Sequence, residues 1–265
     1  MTKFASVILV IVTTFAAFEA NTTPISENWT SPRGSYDVHA TGVDRFVLER
    51  DKNNSGKPIA KFTVSPGDVF QKSTGERSEV VLGGWESSSR FRVKGNDEIE
   101  FYRVSIKLSP DWIAPQSNSH GYAWGIFFQL HGPNEYMAPP AIAIHAENKF
   151  SLFVLGGDLN AKVGGRRFLT KSDLNIGRWV DFVLEIKWAP DTTGAIAVYR
   201  RNEGESDWEK VADIKAVATL QHKGTPIPNS HYWKSGFYRS ESKHENTLWL
   251  GPILRGRTFD EVAGQ

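Results

Sequence analysis

The chain is cut into short runs of alternating apolar and polar residues, and none of its segments keeps a helical period. Such runs occupy 36–40, 44–50, 58–64, 77–82, 98–108, 124–130, 140–146, 150–155, 180–188, 195–200, 235–239 and 247–254. Turn residues divide them, as in Asn53-Asn54-Ser55-Gly56, Ser65-Pro66-Gly67-Asp68 and Ala189-Pro190-Asp191. A strand sends successive side chains to opposite faces, so Tyr102, Val104, Ile106 and Leu108 share one face, as do Phe182, Leu184, Ile186 and Trp188. Many short half-apolar strands in one uninterrupted chain predict an all-β fold, a two-sheet β-sandwich of jelly-roll type. Helix is confined to a short terminal turn at 257–263, and 210–220 fits neither period.

The 265 residues, 40% of them hydrophobic, suffice for a core that needs no staples. There are no cysteines, which excludes a thiol nucleophile, a Cys-ligated zinc site and any disulfide framework. No repeat, linker or low-complexity stretch divides the chain, so 21–265 reads as one domain. Ahead of it, Lys3, the apolar run 4–18 and the small residues Ala16, Ala17 and Ala20 form the pattern of a secretory signal peptide over 1–20, too short to span a bilayer. A secreted, extracellular monomer with no membrane partner is the expectation, with sequons at Asn21, Asn28 and Asn53 as candidate glycosylation sites. A net charge of +1 does not favour nucleic acid. Local basic groups (Arg90, Arg92 and Lys94; Lys162, Arg166 and Arg167; Lys234, Arg239 and Lys243) suit an acidic ligand. Gly156-Gly157 and Gly164-Gly165 bracket a basic loop that could flank a cleft.

Three strands share a two-faced construction. In Gly125-Ile126-Phe127-Phe128-Gln129-Leu130-His131, alternation puts Ile126, Phe128 and Leu130 on the core face and Phe127, Gln129 and His131 on the other. In Gly75-Glu76-Arg77-Ser78-Glu79-Val80-Val81-Leu82, Arg77 and Glu79 share the polar face. In His231-Tyr232-Trp233-Lys234-Ser235-Gly236-Phe237-Tyr238-Arg239, Lys234, Gly236 and Tyr238 share it, Gly236 leaving room for a ligand to approach the backbone. Were the three strands neighbours, one face would offer a carboxylate clamp, an imidazole and a phenol.

The trio Arg-Ser-Glu-Val, Gln-Leu-His and Tyr-Trp-Lys-Ser-Gly-Phe-Tyr-Arg resembles the motif set of β-jelly-roll polysaccharide lyases, on a concanavalin-like sandwich. The alginate lyases carry similar Arg-(Ser/Thr)-Glu-Leu, Gln-Ile-His and Tyr-Phe-Lys-Ala-Gly-x-Tyr motifs. Gly177-Arg178-Trp179-Val180-Asp181-Phe182 and the ending from Leu248 to Val262 are similar to the glucuronan lyase and heparin lyase I group. The resemblance spans roughly residues 36–263; it departs from the alginate pattern at Val81, where many alginate lyases have a second Arg, and at Arg239, which is more similar to the glucuronan and heparin side.

What the resemblance implies is β-elimination on a uronic-acid polysaccharide: glucuronan first, alginate or a heparin-like chain next. Gln129 and Arg77 would neutralise the uronate carboxylate, Arg77 bidentately, with Glu79 orienting Arg77. His131 and Tyr238 would supply base and acid, Tyr238 as the acid whichever of them is the base. A phenol titrates near pH ~10, so Tyr238 would act as a base only beside cations such as Lys234 and Arg77. Lys234, Glu79 and Arg239 complete the expected substrate-binding set. His145, in an apolar run, reads as a core or rim residue; His39, His120 and His231 lie near strand ends and could line a groove; Trp124 and Trp233 read as core. No cofactor and no metal ligand is assigned. Asp51-Lys-Asn53-Asn-Ser55-Gly56 imitates half a calcium loop but has Phe62 at the closing position and reads as a plain turn; the resemblance to the heparin side, which can carry calcium, allows a structural calcium with its ligands unassigned. A non-catalytic lectin-like binder would use the same clamp. A glycoside hydrolase would need paired carboxylates, and the Glu-x-Asp-x-x-Glu pattern is absent.

Overall fold

A computed structural model describes residues 25–30, 36–52, 56–71, 73–82, 93, 98–116, 123–133, 136, 138–161, 165–169, 173–227 and 229–264. The leader 1–20, the sequons at Asn21 and Asn53, Arg90, Arg92, Lys94, Lys162, Gly164, His120 and the side chain of Arg167 lie outside the described residues.

Two antiparallel sheets carry the chain. The first runs in the order β14 (Glu209–Lys215), β13 (Ala195–Asn202), β12 (Trp179–Lys187), β6 (Ile99–Leu108), β17 (Asn246–Leu250), β4 (Pro58–Val64) and β3 (Phe46–Arg50). It also holds β18 (Ile253–Gly256), which pairs with β6 and with β1 (Ile25–Glu27). The second sheet runs β11 (Arg166–Leu169), β9 (Phe150–Val154), β8 (Ile142–Ala146), β7 (Gly125–His131), β16 (Tyr232–Arg239), β5 (Glu76–Leu82) and β2 (Tyr36–Ala40). A two-residue parallel pair, β10 (Gly157–Asp158) with β15 (Gln221–His222), completes the strands.

The predicted sandwich is what forms, and the apolar faces explain why. Phe62, Tyr102, Val104, Ile106, Phe182, Leu184 and Leu248 of the first sheet meet Val80, Leu82, Phe128, Leu130, Ile144, Leu152, Trp233 and Phe237 of the second in one core. Each such side chain taken fully from water stabilises the fold by about 1.5–3 kcal/mol, an upper bound relative to a compact unfolded chain. The stretch at 210–220 resolves into β14, an edge strand whose side chains are half-buried or exposed, which is why its pattern carried no period.

The predicted strand at 247–254 is two strands. Gly251-Pro252 breaks it; the Gly251 N–H donates to Ser105 O, and β18 resumes pairing further along β6. The terminal helix α1 (Phe259–Ala263) is capped by Thr258, whose hydroxyl accepts from the Glu261 N–H, while the Glu261 carboxylate reaches back to the Arg257 N–H. It seals a small apolar cluster, Val183, Leu254 and Val262, on the outer face of the first sheet. No helix among the described residues is long and apolar enough to cross a membrane.

Candidate functional site

The three motif strands are adjacent. β16 lies between β7 and β5, and β2 flanks β5 at the sheet edge. The registers place the polar side chains in rows across four strands. His131 pairs with Tyr232; Gln129 pairs with Lys234, which pairs with Val81, then Asp37; Gly236 pairs with Glu79, then His39; Ile126 pairs with Tyr238, then Arg77.

Glu79 is the centre of this face. It is 1% exposed, and its Oε1 takes Lys234 Nζ at 2.5 Å and Arg77 Nη1 at 2.9 Å. Its Oε2 accepts from Gln129 Nε2 at 2.7 Å. Burial alone would raise this carboxyl, but Lys234 and Arg77 outweigh it and hold the group below the ordinary carboxylate range. Burial likewise draws the Lys234 ammonium below its ordinary value, partly offset by Glu79. One carboxylate set against two cations leaves a net positive floor.

Gln129 reaches Glu79 across the intervening strand β16, on which Gly236 is the residue paired with Glu79. Gly236 has φ +140°, a conformation that side chains rarely adopt, and a Cβ there would sit 2.4 Å from Glu79 Cα and 2.4 Å from Ser78 O. The room expected for a ligand at this glycine is therefore filled by β5 itself. Gly236→Ala is expected to destabilise the fold by roughly 3 kcal/mol or more, from backbone strain plus overpacking, read as a lowered thermal midpoint. A midpoint within a degree or so of wild type would show that β5 can yield here.

A bulge lies at the same place. Between Ser235–Phe128 and Tyr238–Ile126, two residues of β16 face one of β7, and the β7–β8 register also shifts at Phe127. Strict alternation fails there. Phe127, expected on the polar face, packs in the core against Phe150 and Phe182 at centroid distances of 5.7 and 6.1 Å. Ile126, expected in the core, lies outside both apolar clusters and pairs with Tyr238 and His145.

His131 and Tyr238 stand at opposite ends of this face. The Nδ1 of His131 lies 2.9 Å from Gly132 O, and since a carbonyl only accepts, Nδ1 carries the proton. Burial, then the Lys234 charge, push the ring down to about 4, so at neutral pH Nε2 holds a free lone pair. Tyr232 stacks on the ring at 5.2 Å and fixes its plane. Tyr238 shares a 2.8 Å hydrogen bond with the Thr74 hydroxyl, packs edge-on to Trp124 at 4.3 Å, and carries the Arg77 guanidinium over its ring at 3.8 Å.

Other expected residues go elsewhere. Arg239, placed in the substrate-binding set, has no exposure; its Nε and Nη2 meet Glu76 at 3.0 and 2.8 Å and Nη1 meets Asn246, so it is an internal ion pair and cannot touch a ligand. The next residue after Tyr238 necessarily points to the other face. His231 does not line a groove: it is 2% exposed, and its Nε2 accepts from the Gln221 N–H. Burial, then His131, press it down to about 3. His145 is buried and pairs in register with Ile126, with Nδ1 3.2 Å from Glu147. Trp233 is core, but Trp124 is only half-buried, and its place beside Tyr238 had no signal in the sequence pattern. Tyr232 and His39, both on the site's face, were also missed or left open, although motif parity with Lys234 marks Tyr232. The Asp51 carboxylate accepts from Trp179 Nε1 at 2.9 Å, and residues 53–55 of the half calcium loop lie outside the described residues. Among the described residues no group of three or more His, Asp or Glu could hold a metal.

Solved structures with a similar fold include the endo-β-1,4-glucuronan lyase from the fungus Trichoderma reesei, at 21% identity and TM-score 0.58 over 86% of this chain and 96% of that one. Another is the alginate lyase from Aplysia kurodai, at 9% identity and TM-score 0.53 over 84% of this chain and 90% of that one. No curated protein sequence matches the chain. A family model described as polysaccharide lyase matches residues 28–253, and the chain belongs to that family of enzymes.

Proposed function

We propose that the enzyme cleaves a uronic-acid polysaccharide by β-elimination, glucuronan before alginate or a heparin-like chain, and that it is exported through the leader at 1–20. The observation carrying this reading is the row geometry: a carboxylate-binding floor of Lys234, Arg77 and Gln129, drawn together by Glu79, between a neutral imidazole and a phenol. The similarity to the Trichoderma glucuronan lyase supports the order of substrates.

The chemistry follows from charge. The C5 proton of a uronate becomes removable only when charge growing on its carboxylate is met by donors. One arm of Arg77 and one Gln129 N–H are taken by Glu79, leaving the other guanidinium nitrogen, the second amide N–H and the field of Lys234 for the substrate. A carboxylate arriving there raises the basicity of His131, whose Nε2 then takes the C5 proton. The C5 electron pair forms the C4–C5 double bond, the C4–O bond breaks, and Tyr238 gives its proton to the leaving oxygen. With the opposite C5 configuration Tyr238 faces the proton instead, and both transfers pass through its hydroxyl.

Incubation with glucuronan, alginate and heparin is expected to raise ultraviolet absorbance from 4,5-unsaturated uronate ends, fastest on glucuronan. Binding without such absorbance would replace the lyase reading with a lectin-like binder. New reducing ends without it would indicate hydrolysis.

A further inference from the structure

On the far side of Glu79 from Lys234 lies a second imidazole. His39 pairs in register with Glu79 across β2 and β5, so its side chain stands on the same face as Arg77 and Glu79. Its ring lies flat on Phe70, centroids 4.8 Å apart and planes 15° apart, which fixes its orientation. Its Nδ1 is buried with no hydrogen-bond partner, and no hydrogen bond to the ring occurs among the described residues, leaving Nε2 as the atom able to meet a ligand. Among the described residues β2 is the edge strand of this sheet.

We propose that His39 is a further substrate-binding residue, its Nε2 hydrogen-bonding a carboxylate or hydroxyl oxygen of the uronate next to the one that is cleaved. This rests on the polyuronate reading given above. His39 and His131 are three strand spacings apart across the sheet and four residues apart along it, roughly 19 Å at the backbone, too far to serve one proton. The groups facing His39 are Glu79 and Arg77 on β5, Lys234 on β16, Asp37 on its own strand and the Phe70 ring. Burial and then the Lys234 charge keep the imidazole neutral in the free enzyme, lowered to about 4, so it offers a hydrogen bond to an acidic sugar without adding a fourth charge to the floor.

His39→Ala is expected to raise KM on glucuronan roughly tenfold, the loss of one hydrogen bond to a charged group, while kcat falls less than about threefold. His39→Gln, which keeps an N–H donor, recovers most of the affinity. Circular dichroism confirms that each variant is folded. Affinity electrophoresis through glucuronan in the Tyr238→Phe background reads binding without turnover, and adding His39→Ala there is expected to weaken retardation to a similar degree. A kcat falling about a hundredfold at unchanged KM would overturn the proposal by placing the ring on the reacting atoms, and no change in either constant would overturn it by removing the contact. If wild type forms no unsaturated product but its retardation depends on His39, the lyase reading fails and the binding role stands. Absence of retardation by every polyuronate overturns both.

Discussion

Tyr238→Phe is expected to cut turnover on the preferred polyuronate by about 10²–10⁴-fold, the usual contribution of a placed general acid or base, with KM changed only a few-fold. The substitution removes one oxygen and little else. The ring stays, so the Arg77 stack at 3.8 Å and the edge contact with Trp124 at 4.3 Å survive, and among the described residues the hydrogen bond lost is the 2.8 Å one to Thr74. That bond lies at an exposed position, where its loss costs the fold little. A folded, binding-competent protein that does not turn over is thus the predicted phenotype. Initial rates of ultraviolet product formation and affinity electrophoresis through glucuronan measure the two halves separately. Unchanged turnover would remove Tyr238 as the acid; lost binding with unchanged kcat would make it a binding residue. His131→Ala adds a discriminator, since its effect should be large only for substrates whose C5 proton faces β7.

The sandwich could be read from the sequence because nearly every strand alternates and is bounded by turn residues. Misjudged elements lie where a local device interrupts that pattern: Gly251-Pro252 between β17 and β18, and the weakly amphipathic edge strand β14. The site was legible for the same reason. Parity alone put Arg77 with Glu79, and Lys234 with Tyr238, and both pairings of face hold in the registers. Parity failed at Phe127 because a bulge has no sequence signature beyond a nearby glycine, and it inverted Ile126 and Phe127 together. Arg239 illustrates a different limit. A basic residue beside a motif looks like a ligand contact, but its partner Glu76 is distant in sequence, and no periodicity reveals that the pair is internal. The same holds for Gly236, whose role depends on a neighbouring strand rather than on its own.

Glu79 is the buried hub of the proposed site, and Glu79→Ala is expected to damage both stability and activity. The change leaves the Lys234 ammonium and one arm of Arg77 as uncompensated cations in a buried setting and strips Gln129 of its acceptor. Breaking a buried pair from one side typically costs about 3–5 kcal/mol, which corresponds to a fall in thermal midpoint of roughly 10 °C for a chain of this size. Glu79→Gln keeps an acceptor for Lys234 and the volume of the side chain, so its loss should be smaller. The pH dependence separates charge from shape. The Glu79 carboxyl is held below its unfolded value of about 4.3, so its contribution is fully present above that pH and disappears as pH falls through the folded value. Wild type should therefore lose stability more steeply than Glu79→Gln on acidification below about pH 4, the gap between them closing as the carboxyl protonates. Thermal midpoints at neutral pH and along an acid series test this directly. Parallel curves would mean that Glu79 stabilises only by shape. An activity loss in Glu79→Gln as large as in Glu79→Ala would mean that the negative charge itself, not the geometry it imposes on Arg77, Lys234 and Gln129, is what the reaction needs.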